Sequence, residues 1–389
     1  MLLTSKKIAI IGGGPGGLTL ARLLQLNGVD VKVYERDKDK SARVQGSPLD
    51  LHDESGLAAL SKAGLLDAFK QNFLAGADRL QIMNEHAEVL FSDHATKQIE
   101  NFDSKDFRPE IDRGVLRQLL LTSLHPGTVA WNSHFILMEK QKEGRLLHFK
   151  NGITAYADIV IAADGANSKV RPYITDFKAF YSGITMLEGT IYEASKTAPH
   201  ISAMLGGGKI MAFGDRKNVM LGQKANGVIG FYASFKASET WATDSGLDFS
   251  NKAQTLQWFK SEYPEWSSIW HELFEAAATP LIPRPIFCMQ LDQIWKTLPN
   301  LTMVGDAAHV MPPFAGEGVN MAMLDALELS ENLTSGNYKT IQEGIANYEM
   351  RMQQRAAKAA QESLINGDLM HSETALTRML EFFNGHHAQ

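Results

Sequence analysis

The 389-residue sequence holds a single cysteine, Cys288. That excludes an intramolecular disulfide framework and any cysteine cluster for zinc or iron–sulfur, and it fits a reducing compartment. It also lacks a basic excess. Lys and Arg number 38 against 44 Asp and Glu, a formal charge of −6, so a nucleic-acid partner is not expected. No run of about 18 uncharged apolar residues occurs, so no membrane-spanning helix is expected. Lys6 and Lys7 precede only Ile8–Ile11 before glycines begin, too short for a signal-peptide core. No G-x-S-x-G elbow, H-E-x-x-H pair or Trp-x-Trp-x-Ile-Pro segment appears, which argues against serine hydrolysis, zinc hydrolysis and halogenation. The expectation is a soluble, cytoplasmic, monomeric protein. With 44% hydrophobic and 21% charged residues, the chain has an ordinary globular balance. Its length suggests roughly two to three domains.

What is present begins at once. Ile8 to Ile11 reads as a strand buried on both faces, as in a parallel sheet. Gly12-Gly13-Gly14-Pro15-Gly16-Gly17 follows, with Gly12, Gly14 and Gly17 in G-x-G-x-x-G spacing. Leu18, Leu20, Ala21, Leu23 and Leu24 then predict a helix stopping at Asn27-Gly28, and Val29, Val31 and Val33 a second strand ending at Glu35. Gly12 permits the tight turn, Gly14 the approach of a pyrophosphate, and Gly17 close helix–sheet packing. The helix start offers unpaired N–H groups to phosphates. Glu35 stands where an acid accepts ribose hydroxyls, and it would repel a 2′-phosphate, which disfavours NADP at this site. The alternative is a turn that merely packs a helix on a sheet. Five glycines in six residues make that costly in backbone entropy. The unit alone does not separate FAD from NAD.

Further along, Ile82 to Phe91 reads as a strand pair around Asn84-Glu85-His86, and Ile111 to Leu124 as the opening and body of an apolar helix carrying Arg113. An arginine at a helix start can reach a phosphate or a flavin edge, or be a plain solvated charge. Ala157 to Ala163 predicts another buried strand, ending in Asp164-Gly165 with Ser168 and Arg171 beyond. From about 177 to 287 short segments between glycine and charged turns suggest a mainly antiparallel sheet. Trp258, Trp266 and Trp270 in a helical stretch read as core, and the last fifty residues as helix.

A third ligand signal follows the strand Asn300 to Val304. Gly305 removes a side chain where a ligand passes, and Asp306 could accept from sugar-type hydroxyls. Pro312 and Pro313 form a rigid wall, and Gly316 to Asn320 expose backbone N–H groups at a helix start, which would stabilise the charge on a reduced flavin's N1–C2=O edge.

These three motifs, in this order, resemble the class A FAD-dependent aromatic monooxygenases, of the para-hydroxybenzoate hydroxylase-like kind. Gly12–Gly17 resembles the ADP-binding motif. Asp164-Gly165 with Ser168 and Arg171 resembles the Asp-Gly motif. Gly305-Asp306, Pro312-Pro313 and Gly316, Glu317, Gly318, Val319, Asn320 resemble the Gly-Asp motif, whose Asp holds the ribityl chain. Within that class, Val33–Asp37, Leu49–His52, Lys62–Leu66 and Met311–Gly316 are similar to the tetracycline-inactivating monooxygenases. The resemblance implies an α/β fold: a Rossmann-like FAD-binding domain (1–80, 105–176 and 295–345), a mainly antiparallel substrate domain (81–104 and 177–294), and a C-terminal helical segment (346–389) bridging them.

It also implies roles. Glu35 and Arg36 lie at the adenosine end of FAD, Asp50 and Arg113 contact FAD, and Arg43 lies near the NADPH approach path. Phe314 lines a substrate cavity. Where the tetracycline enzymes place a Gln, an Arg and a His on the drug, this sequence has Glu188, Lys209 and Gly230, and Glu188 and Lys209 are the expected substrate contacts. The implied reaction uses NADPH and O2 and passes oxygen from a flavin C4a-hydroperoxide to an electron-rich ring or enol, a tetracycline or a different phenol. A FAD-binding redox protein without turnover is the reading outside that class. His309, inside the Gly-Asp motif, reads as structural, and no acid–base residue is assigned.

Overall fold

The computed structural model describes residues 2–42, 48–95, 100–105 and 107–387. Its first layer is a five-stranded parallel sheet in the order Leu301–Met303, Ile159–Ala162, Ile8–Ile11, Val31–Tyr34, Val129–Ala130. Ile8–Ile11 is the central strand, and all four of its residues are buried. It has no solvated face because the helices Pro15–Leu26 and Gly318–Thr334, together with a three-stranded antiparallel sheet spanning Phe135 to Ala157, cover the layer. Continuous apolar runs are what such a strand requires.

The second layer is a seven-stranded sheet in the order Ile282–Cys288, Phe180–Ile191, Ile229–Lys236, Lys217–Gln223, Lys209–Gly214, Leu80–Asn84, Val89–Ser92. All its pairings are antiparallel except Lys209–Gly214 with Leu80–Asn84. Side chains alternate between its faces. Leu187, Phe231, Leu221 and Ile210 point to one side, into a core with Trp258, Trp266 and Trp270. Those tryptophans are 8%, 4% and 0% exposed, so they are core as expected, but the expected helical stretch breaks at Glu262, and Trp266 and Trp270 reach the core from the turns beyond it. Met211, Phe213 and Met220 point to the other side, against Phe314 and the C-terminal helices.

Those helices are Ile341–Met370, thirty residues long, and Ala375–His387. The first touches both layers. Arg355 pairs with Asp325 and Glu328, each at 2.7 Å, on the Gly318–Thr334 helix. Further along, Ser363 donates to the Pro312 carbonyl at 2.5 Å and Asn366 to that of Phe314 at 3.2 Å. His371, just past its end, meets Ser234 at 2.7 Å and Asn218 at 3.2 Å on the seven-stranded sheet. Among the described residues no helix is long and apolar enough to cross a membrane.

Candidate functional site

The glycine turn is built around backbone proximity. Gly12 has φ of 109°, and a Cβ there would sit 2.2 Å from the Ala163 carbonyl oxygen. A Cβ on Gly17 would sit 2.3 Å from the Gly12 oxygen, whereas one on Gly14 would meet nothing within 4 Å. Gly12 and Gly17 therefore hold the fold, and Gly14 faces open space. The helix Pro15–Leu26 starts with no side-chain cap and no acid in its first turn, so its N–H groups and positive dipole end stay available to an anion. Glu35 is 3% exposed; its carboxylate accepts from Gly13 N at 2.5 Å and Asp37 N at 2.9 Å. Arg36 beside it is exposed, and Arg43 lies outside the described residues.

Two more strand ends deliver acids to the same edge of the parallel sheet. Asp164 follows Ile159–Ala162. One carboxylate oxygen accepts from Lys169 N at 2.8 Å; the other is buried and has no partner, and burial raises the carboxyl pKa. A buried acceptor left open at a ligand edge suits a hydroxyl or amine donor of a bound cofactor. Asp306 follows Leu301–Met303. Arg171 ties these two motifs together, donating to the carbonyls of Ala307 at 2.7 Å and Asp306 at 2.8 Å.

Asp306 and Arg113 both have solvent-accessible side chains. Both are also ringed by protein. Burial raises the Asp306 pKa against the pull of His309, Arg113 and Arg171, and burial lowers the Arg113 pKa against Tyr232, Asp306 and Glu188. Accessible groups that deep define an interior cleft between the two sheets. His309 faces away from it, buried and bonded to Asp325 at 2.5 Å, consistent with a structural role.

The far wall is the Pro313–Ala315 turn, Gly316 at φ 69°, and the start of Gly318–Thr334. That helix also starts without a side-chain cap or acid in its first turn, and a Cβ on Gly318 would meet nothing. Asn320 is fully buried. Its amide donates to the carbonyls of Asp50 at 3.0 Å and Gly316 at 3.2 Å, and its oxygen accepts from His52 N at 2.9 Å. It staples the Asp50 loop to the Gly316 turn. His52 lies between Asp50 at 3.2 Å and Glu317 at 3.4 Å. Burial works to lower its pKa, but the bonds to those two carboxylates prevail and raise it to about 9. Phe314 packs on Gly367, where a Cβ would sit 2.7 Å from its ring, and edge-on to His371.

The antiparallel sheet closes the cleft with one face. Register puts Thr190, Gly230, Gly222 and Lys209 in one row across four strands, and Glu188, Tyr232, Met220 and Met211 in the next. Glu188, Lys209 and Gly230 therefore do share a face. Their surroundings differ from a drug-gripping set. Glu188 accepts from Arg284 Nε at 2.8 Å. Lys209 pairs with Glu110, which is 4% exposed, and Asp50 and Asp78 add to the field that keeps the ammonium charged although burial opposes it. Burial also pushes the Glu110 carboxyl up to about 7, with Lys209 opposing. The space over Gly230 holds the Lys224 side chain; a Cβ there would sit 2.5 Å from Lys224 Cε. Lys224 and Arg284 carry no local signature in the sequence. One stands in a turn, the other on a strand 96 residues from its partner.

The cradle fits FAD: two uncapped helix starts, an open glycine, a ribose-side acid, an orphaned Asp164 oxygen and the deep Asp306. A family model described as FAD binding domain matches residues 5–202 and 295–363. A monooxygenase of Penicillium thymicola, penA, is 27% identical over 409 residues, covering 91% of this chain and 92% of that one. Among solved structures, Klebsiella pneumoniae HpxO complexed with FAD and uric acid superposes with a TM-score of 0.76 at 21% identity, covering 97% and 92% of the two chains. The tetracycline destructase Tet(55) superposes with a TM-score of 0.74 at 18% identity, covering 94% and 90%.

Proposed function

The chain belongs to the FAD binding domain family and is an FAD-dependent monooxygenase of the class A type; on that premise we propose that it hydroxylates an electron-rich aromatic or enol substrate, with NADPH as reductant and O2 as the oxygen source. The observation that carries this reading is the cleft itself. Three strand ends bring Gly12–Gly17, Asp164 and Asp306 to one side, and a sheet face with two bare glycines lies on the other. Bound FAD supplies electron transfer and oxygen activation.

The chain's own residues bind, orient and exclude water. In this reading the Pro15 helix start and Gly14 take the pyrophosphate, Glu35 and Arg36 the adenosine end, and Asp164 and Asp306 the sugar and ribityl hydroxyls. The N–H groups of Gly318 and Val319, at an uncapped helix start, would stabilise negative charge on a bound flavin. Asp50 and Arg113 would contact the bound flavin, and Phe314 with the Met211 and Met220 side chains would keep the substrate side apolar and dry.

Tetracycline is not the favoured substrate. Lys209 is committed to Glu110, and Lys224 fills the room above Gly230, so the Gln-Arg-His grip of the drug enzymes has no counterpart here. A different flat phenol or enol is favoured. The test is NADPH oxidation by the FAD-loaded protein with tetracycline and with a panel of phenols, plus product mass. Stimulated oxidation and a product heavier by one oxygen support the reading. Bound FAD without stimulation by any ring compound sinks it in favour of a redox protein without turnover.

A further inference from the structure

The row Thr190, Gly230, Gly222, Lys209 gives the cleft an unusual floor. Two neighbouring positions carry no side chain. A Cβ on Gly222 would meet only Lys209 Cγ, at 3.8 Å, so backbone alone forms the surface there. A flat ring can lie directly on exposed peptide planes, which is one reason strands keep interior glycines. Over the Gly230 half runs the Lys224 stem, from the turn that joins Lys217–Gln223 to Ile229–Lys236. Gly230 is what makes room for it.

The other charges around this floor are spoken for. Glu188 is paired with Arg284. Arg113 feels the fields of Tyr232, Asp306 and Glu188. Asp112 caps the helix Arg113–Thr122, accepting from Gly114 N at 2.8 Å and Val115 N at 3.2 Å. Lys209 is held by Glu110. Among the described residues Lys224 has no carboxylate within ion-pair distance, although it feels Glu188 and Asp112 from further off. Burial lowers its pKa, so an anion placed against it would restore a stabilising partner.

We propose that Lys224 is the substrate-anchoring cation of this monooxygenase, and that the substrate is a planar ring acid lying on the Gly222–Gly230 floor with its ionised oxygen on Lys224 Nζ. This rests on the hydroxylase reading above and narrows it to substrates bearing a carboxylate, phenolate or enolate. Lys224 is a binding residue here and takes no part in oxygen transfer. Lys209, the cation expected from sequence, instead fastens this sheet to Glu110.

The probes are 3-hydroxy-2-naphthoate and its neutral amide, with tetracycline as a third ring compound. Binding to the FAD-loaded protein is read by the shift in flavin absorbance, and turnover by NADPH oxidation. The acid is expected to bind wild-type protein about tenfold or more tighter than the amide, the worth of one charge-assisted hydrogen bond. Lys224→Met should erase that preference by raising KM for the acid while leaving kcat and the amide affinity nearly unchanged, and Lys224→Arg should restore most of it. Gly230→Ala, which keeps the charge but crowds the lysine stem, should lose preference too. FAD content of each variant reports folding independently.

A preference for the acid that survives in Lys224→Met overturns the anchor while leaving the hydroxylase reading intact. Equal affinity of wild-type protein for acid and amide, or no flavin shift with either, also overturns it. Stimulated oxidation with tetracycline alone would keep the hydroxylase reading and reject the ring-acid class. No stimulation by any of the three brings down the hydroxylase reading and the anchor with it.

Discussion

The two sheets build their halves of the cleft in opposite ways. At the parallel sheet, the candidate groups gather at strand ends and consist largely of backbone: the Gly12 turn, two uncapped helix starts and acids one to three residues past a strand. At the antiparallel sheet, the candidate groups lie across strand faces, and which side chains and bare glycines meet depends on register over five strands. A strand-end site is written in consecutive residues, so a local motif carries it. A strand-face site is written in residues on different strands, as far as 96 positions apart for Glu188 and Arg284, and a one-residue slip would turn all of them away. The first kind tolerates few substitutions at its glycines. The second can change its ligand by altering single side chains while the fold persists.

Four substitutions sharpen or break that contrast. Gly12→Ala should have the largest effect. It forces a side chain into φ 109° and against the Ala163 carbonyl, so FAD affinity should fall by about a hundredfold or more. Retention of FAD on gel filtration checks it, and normal retention would mean that the turn is not a rigid backbone site.

Lys209→Met should come next, as a pH-dependent loss of stability. With its pKa near 7, above the 4.5 of a free carboxyl, Glu110 takes a proton in the folded state as pH falls and then needs no partner. The variant should therefore lose about 1–3 kcal/mol at pH 8 and little at pH 5, seen in urea unfolding at both pH values. Equal loss at the two would deny the ion pair its part in joining the layers.

Glu35→Gln should weaken FAD about tenfold, because an amide cannot accept from both Gly13 N and Asp37 N as the carboxylate does. Direct titration with FAD measures this, and an unchanged affinity would show that the acid serves only the strand.

His371→Asn should be the mildest. The Gly367 carbonyl can only accept, so Nδ1 carries the proton and Nε2 accepts from Ser234 and Asn218. Burial holds the His371 pKa at about 4. The unfolded chain binds a proton that the folded one refuses, so wild-type stability should fall by about 1 kcal/mol per pH unit as pH drops from about 6.5 toward 4. The variant should lack that His371 contribution in melts at pH 6 and 5.

Legibility in the sequence follows the same division. The strand Ile8–Ile11, the glycine turn, the strand before Asp164 and the Gly305-Asp306 segment were all readable, because each combines a periodicity with its own punctuation. The tryptophans Trp258, Trp266 and Trp270 were readable as core from their aromatic bulk, although the helix expected to carry all three stops at Glu262. Glu188, Lys209 and Gly230 were readable as candidate positions, but their shared face and their partners come from strand pairing. Glu110 sits in a two-residue strand that no propensity marks. Lys224 follows Gln223 into a turn, where a lysine reads as solvated. Arg284 meets Glu188 only because Phe180–Ile191 pairs with Ile282–Cys288. Pairing between distant strands decides such contacts, and it leaves no trace in any one segment.

The long C-terminal helix adds a constraint of a different kind. Arg355 fixes it to the cofactor-side helix, and Ser363 and Asn366 fix it to the Pro312–Phe314 turn. The eight-residue interval between Arg355 and Ser363 thus works as a gauge block of about 12 Å. Inserting one residue there would rotate the far anchors by about 100° and advance them by about 1.5 Å, and a whole added turn would cure the rotation but push them about 5 Å further. No number of inserted residues restores both. Surface loops can lengthen freely, but this interval is measured against two anchors at once, the cofactor-side helix and the Pro312–Phe314 turn, so its length is set by the pair of them.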